Sequence, residues 1–136
     1  MMFDKEGVIS VWLGTSHKSM ADFNQYTDGM ESQGANSAIL QDFAVGFVDS
    51  DMFGAYGTAG NEVVPVEELC RELGCNSVET LQAVVAACKE QGIHVGNSLY
   101  YYGNHEFVPE EQDRLYNDLY FVGVFSDPKK KPRKSK

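Results

Sequence analysis

Basic residues are scarce over most of this 136-residue chain. Residues 1–128 contain five Lys or Arg against 20 Asp or Glu, which gives that segment a formal charge of −15. A compact body with this charge repels nucleic acid and anionic membranes, and it attracts a basic partner over a long range. The composition therefore argues against nucleic-acid and membrane partners and favours a basic protein.

Long apolar runs are also absent from the sequence. No stretch approaches the roughly 20 apolar residues that a helix needs to span a bilayer. Residues 1–7 show no cationic region followed by an apolar run, so the sequence predicts no secretory signal. From these two absences we expect a cytoplasmic protein.

Metal ligands and catalytic groups are few and poorly spaced. The three cysteines form an odd set without a CxxC pair, and in a cytosolic protein they indicate reduced core thiols: Cys70, Cys75 and Cys88. The three histidines neither complete a zinc site nor fit a Ser-His-Asp or Cys-His arrangement: His17, His94 and His105. The glycines at positions 54, 57 and 60 lack the following helix of a phosphate-binding loop. We therefore expect no metal, no cofactor and no enzymatic activity.

The length and the charge pattern predict one domain and a tail. Residues 1–128 are long enough for a single domain with a hydrophobic core. Residues 129–136 carry six of the eleven basic side chains and no apolar one, which is typical of a disordered tail. Four interpretations of this tail stay open: a solvated extension, a nucleic-acid or membrane contact, a nuclear-localisation-like run, or a segment that folds back onto the acidic domain and competes weakly with a basic partner.

Hydrophobic patterns predict an α+β fold. Short β-prone runs indicate four strands, at residues 8–13, 43–48, 98–102 and 119–125. Apolar spacing and capping residues indicate three helices, at residues 20–28, 66–73 and 77–91. A helical turn is predicted at 110–116, and loops at 31–37 and 54–60. The order β-α-β-α-α-β-β predicts a mixed, mainly antiparallel sheet with helices packed on one face.

The longest predicted helix has an N-cap at Asn76 or Ser77 and a stop at Gly92. Trp12 lies inside the first apolar strand, so we expect it in the core. The apolar stripe of the long helix is expected to pack on the sheet, and it consists of Val78, Leu81, Val84, Val85 and Cys88.

Three segments, in this order, resemble a known protein family. The sequence opens with the strand VISVWLG at residues 8–14, continues with DF at 42–43 and DSD at 49–51, and closes with YFVGVF at 120–125. With the Ala-rich helix between the last two segments, this set is similar to the immunity protein 22 family of bacterial polymorphic toxin systems. The resemblance extends from residue 8 to residue 125.

The resemblance implies an α+β fold and a protein that binds and neutralises a cognate toxin domain without catalysis, by stoichiometric occlusion. It supplies no binding motif at the level of single residues, and the basic tail departs from the family pattern. The acidic body points to a toxin with a basic, polyanion-binding surface, such as a nuclease. The alternative function is that of a regulatory or scaffold domain that binds a basic cellular protein.

The first candidate binding group consists of Asp42, Asp49 and Asp51. Because they are two positions apart, Asp49 and Asp51 would share one face if they lay on a strand. There their carboxylates would stand in for the phosphates that a basic toxin surface binds. A polar turn is the alternative, and a catalytic or metal-binding pair lacks a third ligand at a fixed spacing.

Tyrosines form the second candidate group, and acidic residues near Pro109 form the third. Strand alternation places Tyr100 and Tyr102 on the face opposite Tyr101, so we expect one of these faces to offer an exposed anchor to a partner. Packing within the sheet is the alternative. The third group has a solvated loop as its alternative and comprises Glu106, Glu110, Glu111 and Asp113.

Overall fold

The computed structural model describes residues 1–32 and 37–129. Over these ranges the chain forms seven strands: β1 (Met2–Gly14), β2 (Phe53–Gly57), β3 (Val64–Pro65), β4 (Val95–Gly96), β5 (Ser98–Phe107), β6 (Leu115–Tyr116) and β7 (Leu119–Ser126). The same ranges contain four α-helices: α1 (Met20–Gln25), α2 (Ala38–Phe43), α3 (Val66–Leu69) and α4 (Val78–Glu90). Short 3₁₀-helices occupy Ala59–Asn61 and Cys70–Glu72.

Strand β1 lies at the centre of a curled five-stranded sheet with the order β2-β5-β1-β7-β6. Each strand pair that the structure describes is antiparallel, including the small separate pair of β3 and β4. The prediction of a single α+β domain with a mainly antiparallel sheet is therefore confirmed.

Helices cover both faces of the sheet, so the expectation of helices on one face is wrong. Ile9, Val11 and Leu13 point to one face, where they pack with α3 and α4. Trp12 points to the opposite face, where it packs with α1 and α2. All four side chains are buried. Because the apolar residues of β1 point to both faces, both faces need cover from water.

Aromatic rings fill the space between β1 and α2. The Trp12 ring stacks on Phe43 with the ring centroids 4.8 Å apart. The rings of Phe107 and Phe121 each lie 5.4 Å from Trp12 and are tilted against it. Aromatic pairs of this kind add roughly 0.5–1.5 kcal/mol beyond the stabilisation from buried area. Trp12 is therefore a core residue, as predicted, and it joins α2 to β5 and β7.

Residues 43–48 do not form the predicted strand. Helix α2 ends at Phe43, and Ala44 follows in the left-handed conformation with a φ of 56°. The N–H of Val45 then donates a hydrogen bond of 3.1 Å to the carbonyl of Leu40, which closes the helix end. A short apolar run does not distinguish a buried strand from the end of a helix, and Leu40 and Phe43 have helical spacing.

Strand β2 lies in a segment for which the glycines predicted a loop. It pairs with β5 from Phe53, opposite Tyr102, to Gly57, opposite Ser98. A Cβ atom on Gly54 would lie 2.0 Å from Cζ of Tyr101. Position 54 therefore needs a glycine because the Tyr101 ring occupies the space of a side chain. The residue does not mark a turn.

Helix α4 has the predicted cap and most of the predicted stripe. The Ser77 hydroxyl accepts a hydrogen bond of 3.2 Å from the N–H of Thr80, and this confirms Ser77 as the N-cap. Val78 is the exception in the stripe, since it is 65% exposed. Thr80 takes the buried position instead, because its hydroxyl donates to the carbonyl of Ser126 at 2.9 Å.

Residues 110–116 contain a turn and strand β6 in place of the predicted helical turn. The two-residue turn of Asn117 and Asp118 joins β6 to β7, and both residues have positive φ, as a type I′ hairpin requires. Two other predicted segments lie partly outside the described residues. They are the loop at 31–37, at positions 33–36, and the basic tail, at positions 130–136.

Asp127 ties the end of β7 to the start of α4. Its buried carboxylate accepts a hydrogen bond of 2.8 Å from the N–H of Asn76 and lies 3.0 Å from the hydroxyl of Thr80. The side-chain amide of Asn76 donates to the carbonyl of Asp127 at 3.2 Å. A negative charge at this place also interacts favourably with the N-terminal end of the helix dipole.

The substitution Asp127→Ala is expected to lower the free energy of unfolding by about 1–3 kcal/mol, because the N–H of Asn76 loses a charged acceptor. Urea unfolding followed by circular dichroism measures the change. Asp28→Ala is the matched control, since Asp28 is exposed and surface substitutions usually stay within about 0.5 kcal/mol. Equal stability of the two variants would contradict this role of Asp127.

Candidate functional site

Four of the five basic side chains in residues 1–128 are paired with carboxylates. Exposed pairs of this kind contribute little to stability, about 0–1 kcal/mol each. Their effect on the surface potential is larger, because each pair cancels a positive charge locally and leaves the remaining carboxylates to dominate. The pairs are Lys5–Glu106, Lys18–Asp118, Lys89–Glu67 and Arg114–Asp42.

Arg114 links the loop between β5 and β6 to helix α2. Its guanidinium contacts the carboxylate of Asp42 and lies 5.2 Å from the centre of the Tyr116 ring. The Asp42 carboxylate also accepts a hydrogen bond of 2.7 Å from the hydroxyl of Tyr26. The fold thus brings Asp42 to this loop, although 72 positions separate Asp42 from Arg114.

The carboxylates of this loop lie around Tyr116. Burial raises the pKa of the Tyr116 hydroxyl, and the charges of Asp42, Glu111 and Glu110 raise it further against the opposing effect of the neighbouring guanidinium. Glu111, Asp113 and Tyr116 also line one groove, together with Arg114. The structure therefore joins one residue of the first candidate group to the third group. We call this set the acidic ridge: Asp42, Glu110, Glu111 and Asp113.

Asp49 and Asp51 form a turn, which is the alternative that the sequence left open, and do not share the face of a strand. The carboxylate of Asp49 accepts a hydrogen bond of 2.9 Å from the N–H of Asp51, which is a local bond typical of turns. The N–H of Asp49 donates to the hydroxyl of Tyr102 at 2.9 Å. Asp51 is exposed and Asp49 is half-buried.

Tyr100 and Tyr102 are buried, so the expectation that they offer an exposed anchor is wrong. Both rings lie in the aromatic core beneath α1 and α2. The Tyr100 hydroxyl accepts a hydrogen bond of 2.7 Å from the amide of Asn117. Tyr101 points to the other face and is half-buried. Because both faces of the sheet are covered, neither of them is the free face that the prediction assumed.

Glu106 belongs to strand β5 and not to the loop that follows it. It lies opposite Phe3 of β1 and pairs with Lys5 at 3.8 Å. The adjacent His105 contacts Asp4 at 3.1 Å. Glu106 is therefore paired within the sheet and lies outside the acidic ridge.

Two grooves meet at Tyr120, a residue that the sequence analysis did not single out. The first, of about 470 Å³, is lined by Tyr120 together with Glu111 and Asp113 of the acidic ridge. The second, of about 420 Å³, is lined by Tyr120, Leu115 and Asp118. Tyr120 is 49% exposed and Leu115 is 45% exposed. Tyr120 stands within an apolar run in the sequence, and only the two-residue turn before it could have indicated its register and hence its face.

Reactive groups are not assembled within the part of the chain that the structure describes. That part contains no group of three or more His, Cys, Asp or Glu suited to a metal ion. Cys70 and Cys88 are buried free thiols, and Cys75 is half-buried. The hydrogen bond with Cys88, together with burial, raises the pKa of the Cys70 thiol, which lowers its reactivity. None of the helices in the described ranges is long and apolar enough to cross a membrane.

These features define an acidic α+β domain whose carboxylates line a surface groove. The sequence model of the family described as Immunity protein 22 matches residues 9–126, so the chain belongs to this family. Membership implies a cognate toxin as partner and a role in neutralising it, and proteins of this kind are typically non-catalytic. No curated protein and no solved structure matches the chain.

The buried tyrosines predict a loss of stability at high pH. Burial raises the pKa of Tyr100 and of Tyr26, and the hydrogen bond to Asp42 raises the pKa of Tyr26 further. An unfolded tyrosine ionises near pH 10, so this contribution to stability is complete below about pH 10 and is lost as the pH rises above it.

Ultraviolet absorbance and circular dichroism, recorded over the same alkaline titration, measure this effect. We expect some of the seven tyrosines to ionise only together with the unfolding transition. Ionisation of all seven in a protein that retains its native circular dichroism would contradict the burial of these hydroxyls.

Proposed function

We propose that the chain neutralises its cognate toxin by binding through the acidic ridge and covering the toxin surface in a stoichiometric complex. The observation that carries this proposal is the family match over residues 9–126. The charge distribution and the geometry of the ridge support the choice of surface.

The charge distribution favours a basic partner. Residues 1–128 have a formal charge of −15, and four of their five cations are already paired. A surface of one sign attracts an oppositely charged protein from a distance and raises the association rate. Rapid capture suits an inhibitor, because an active toxin does damage until it is bound.

The geometry of the ridge favours recognition with little reordering. Asp42 is carried by α2, and the next residue, Phe43, is stacked on Trp12 in the core. Arg114 contacts Asp42 and so holds the loop against this helix. Binding groups that are fixed before association lose less conformational entropy when the complex forms.

A polyanion-binding toxin, such as a nuclease, fits this surface best. Its substrate-binding face must carry basic side chains that bind phosphates. The carboxylates of Glu110, Glu111 and Asp113 would occupy the places of those phosphates and block access to the face. The mechanism needs neither turnover nor a cofactor.

Co-expression tests the function directly. Bacteria that express the toxin domain encoded beside this chain should survive when the chain is co-expressed and should stop growing without it. Loss of growth in both cases, with both proteins present at similar levels, would refute the proposed function.

A variant without the charges of the loop tests the choice of surface. Glu110→Gln, Glu111→Gln and Asp113→Asn in one protein should lower the association rate constant with the toxin domain about tenfold at low salt. The difference should shrink as the salt concentration rises, because salt screens the attraction. Surface plasmon resonance over a salt series measures both effects.

The matched control changes the net charge by the same amount at another place. Its three substitutions fall on exposed carboxylates outside the ridge: Glu62→Gln, Glu68→Gln and Glu72→Gln. We expect a much smaller change in the association rate for this control. Equal slowing of both variants would show that total charge, and not the acidic ridge, governs recognition.

A further inference from the structure

We propose that Tyr120 and Leu115 form the apolar anchor of the toxin interface and receive a basic segment of the toxin, in which an apolar side chain is flanked by Lys or Arg. This inference rests on the proposed function and names the contact that gives the complex its lifetime. It starts from two exposed apolar side chains that the fold places side by side.

The hairpin of β6 and β7 fixes the direction of both side chains. Leu115 and Tyr120 are direct partners in its ladder. The other pair in the ladder, Tyr116 and Leu119, is buried in the aromatic core. Side chains alternate along strands, so Leu115 and Tyr120 must point to the opposite face of the sheet.

Helix α4 covers that face only up to its own C-terminal end. The side-chain amide of Gln91, which follows the helix, donates a hydrogen bond of 2.8 Å to the carbonyl of Val122. Val122 is buried under the helix, whereas Tyr120, two positions earlier, is 49% exposed. Val95, at 50% exposure, lines the same groove as Tyr120 and Leu115. The end of the helix thus leaves a contiguous apolar strip uncovered.

Carboxylates flank this strip on both sides. Glu111 and Asp113 line the groove on one side of Tyr120, and Asp118 lines the groove on the other side. Two cations lie near these carboxylates, and both are paired. Arg114 lines the first groove and contacts Asp42, and Lys18 is 3.9 Å from Asp118 and donates to the amide oxygen of Asn117. An apolar residue bracketed by cations complements this surface.

The same charges argue against other occupants. A second copy of the chain would bring another domain with a formal charge of −15 against this strip, and like charges in contact cost several kcal/mol. An acidic peptide or a nucleic acid meets the same repulsion. Interface hot spots are enriched in tyrosine at the centre, surrounded by groups that exclude water, which matches Tyr120 between its two grooves.

The anchor and the acidic ridge should affect different rate constants. Long-range attraction by the ridge acts on the encounter, so its removal changes the association rate. An apolar anchor acts only after contact, and most effects of such side chains appear in the dissociation rate. This difference separates the two contributions in one experiment.

Binding of the toxin domain encoded beside this chain, measured by surface plasmon resonance, tests the anchor. Tyr120→Ala should raise Kd by at least about 30-fold, mainly through faster dissociation. Leu115→Ala should raise it about tenfold. Val78→Ala is the matched control, since Val78 is 65% exposed at the start of α4, and it should leave Kd within about twofold.

Leu115→Lys tests the same anchor independently if Tyr120→Ala does not fold. A lysine at this exposed edge position places a positive charge where the basic segment would bind, and it should weaken binding more than Leu115→Ala does. Thermal unfolding confirms that each variant is folded. Unchanged Kd in folded Tyr120→Ala or Leu115→Lys, with tight binding by the unaltered chain, overturns the anchor alone. Failure of the unaltered chain to bind the toxin domain overturns the proposed function as well.

Discussion

Strand β1 is enclosed on its two edges and its two faces, and the rest of the fold is arranged around this constraint. Its edges are hydrogen-bonded to β5 and β7, and its residues at 9–13 are fully buried. A strand that is apolar on both faces needs a layer of helices on each side. The four helices of the described ranges therefore cover the sheet, and neither face of the sheet is open to a partner.

Local signals predicted the elements whose structure is decided locally. The Ser77 cap fixed the start of α4, and continuous β-prone runs indicated β1 and β7. Tertiary contacts decided the elements that were missed. Phe43 lies at the end of a helix with its ring stacked on Trp12, and Gly54 lies in a strand where the ring of Tyr101 occupies the space of a side chain. Neither contact is visible in a sequence window.

For the candidate site, too, the sequence predicted the composition but not the contacts between distant residues. The excess of carboxylates was evident from the sequence, and so was the acidic loop. The pairing of Asp42 with Arg114 was not, because 72 positions separate the two residues. The sequence did not predict which tyrosine is exposed. Tyr100, a candidate anchor, is fully buried, while Tyr120 is exposed. Exposure of a strand residue depends on where the covering helix stops, which no alternation pattern records.

If the acidic ridge binds the toxin as we propose, the position of the acidic loop has a consequence for how specificity changes over time. Residues 110–113 are exposed and lie between the end of β5 and Arg114. Surface loops tolerate insertions and substitutions far better than packed elements do, and lengthening one adds little entropic cost. Substitutions and insertions in this loop could therefore preserve binding to a diverging toxin while every residue of the core stays the same. The same property makes the loop a suitable place for grafting a new specificity.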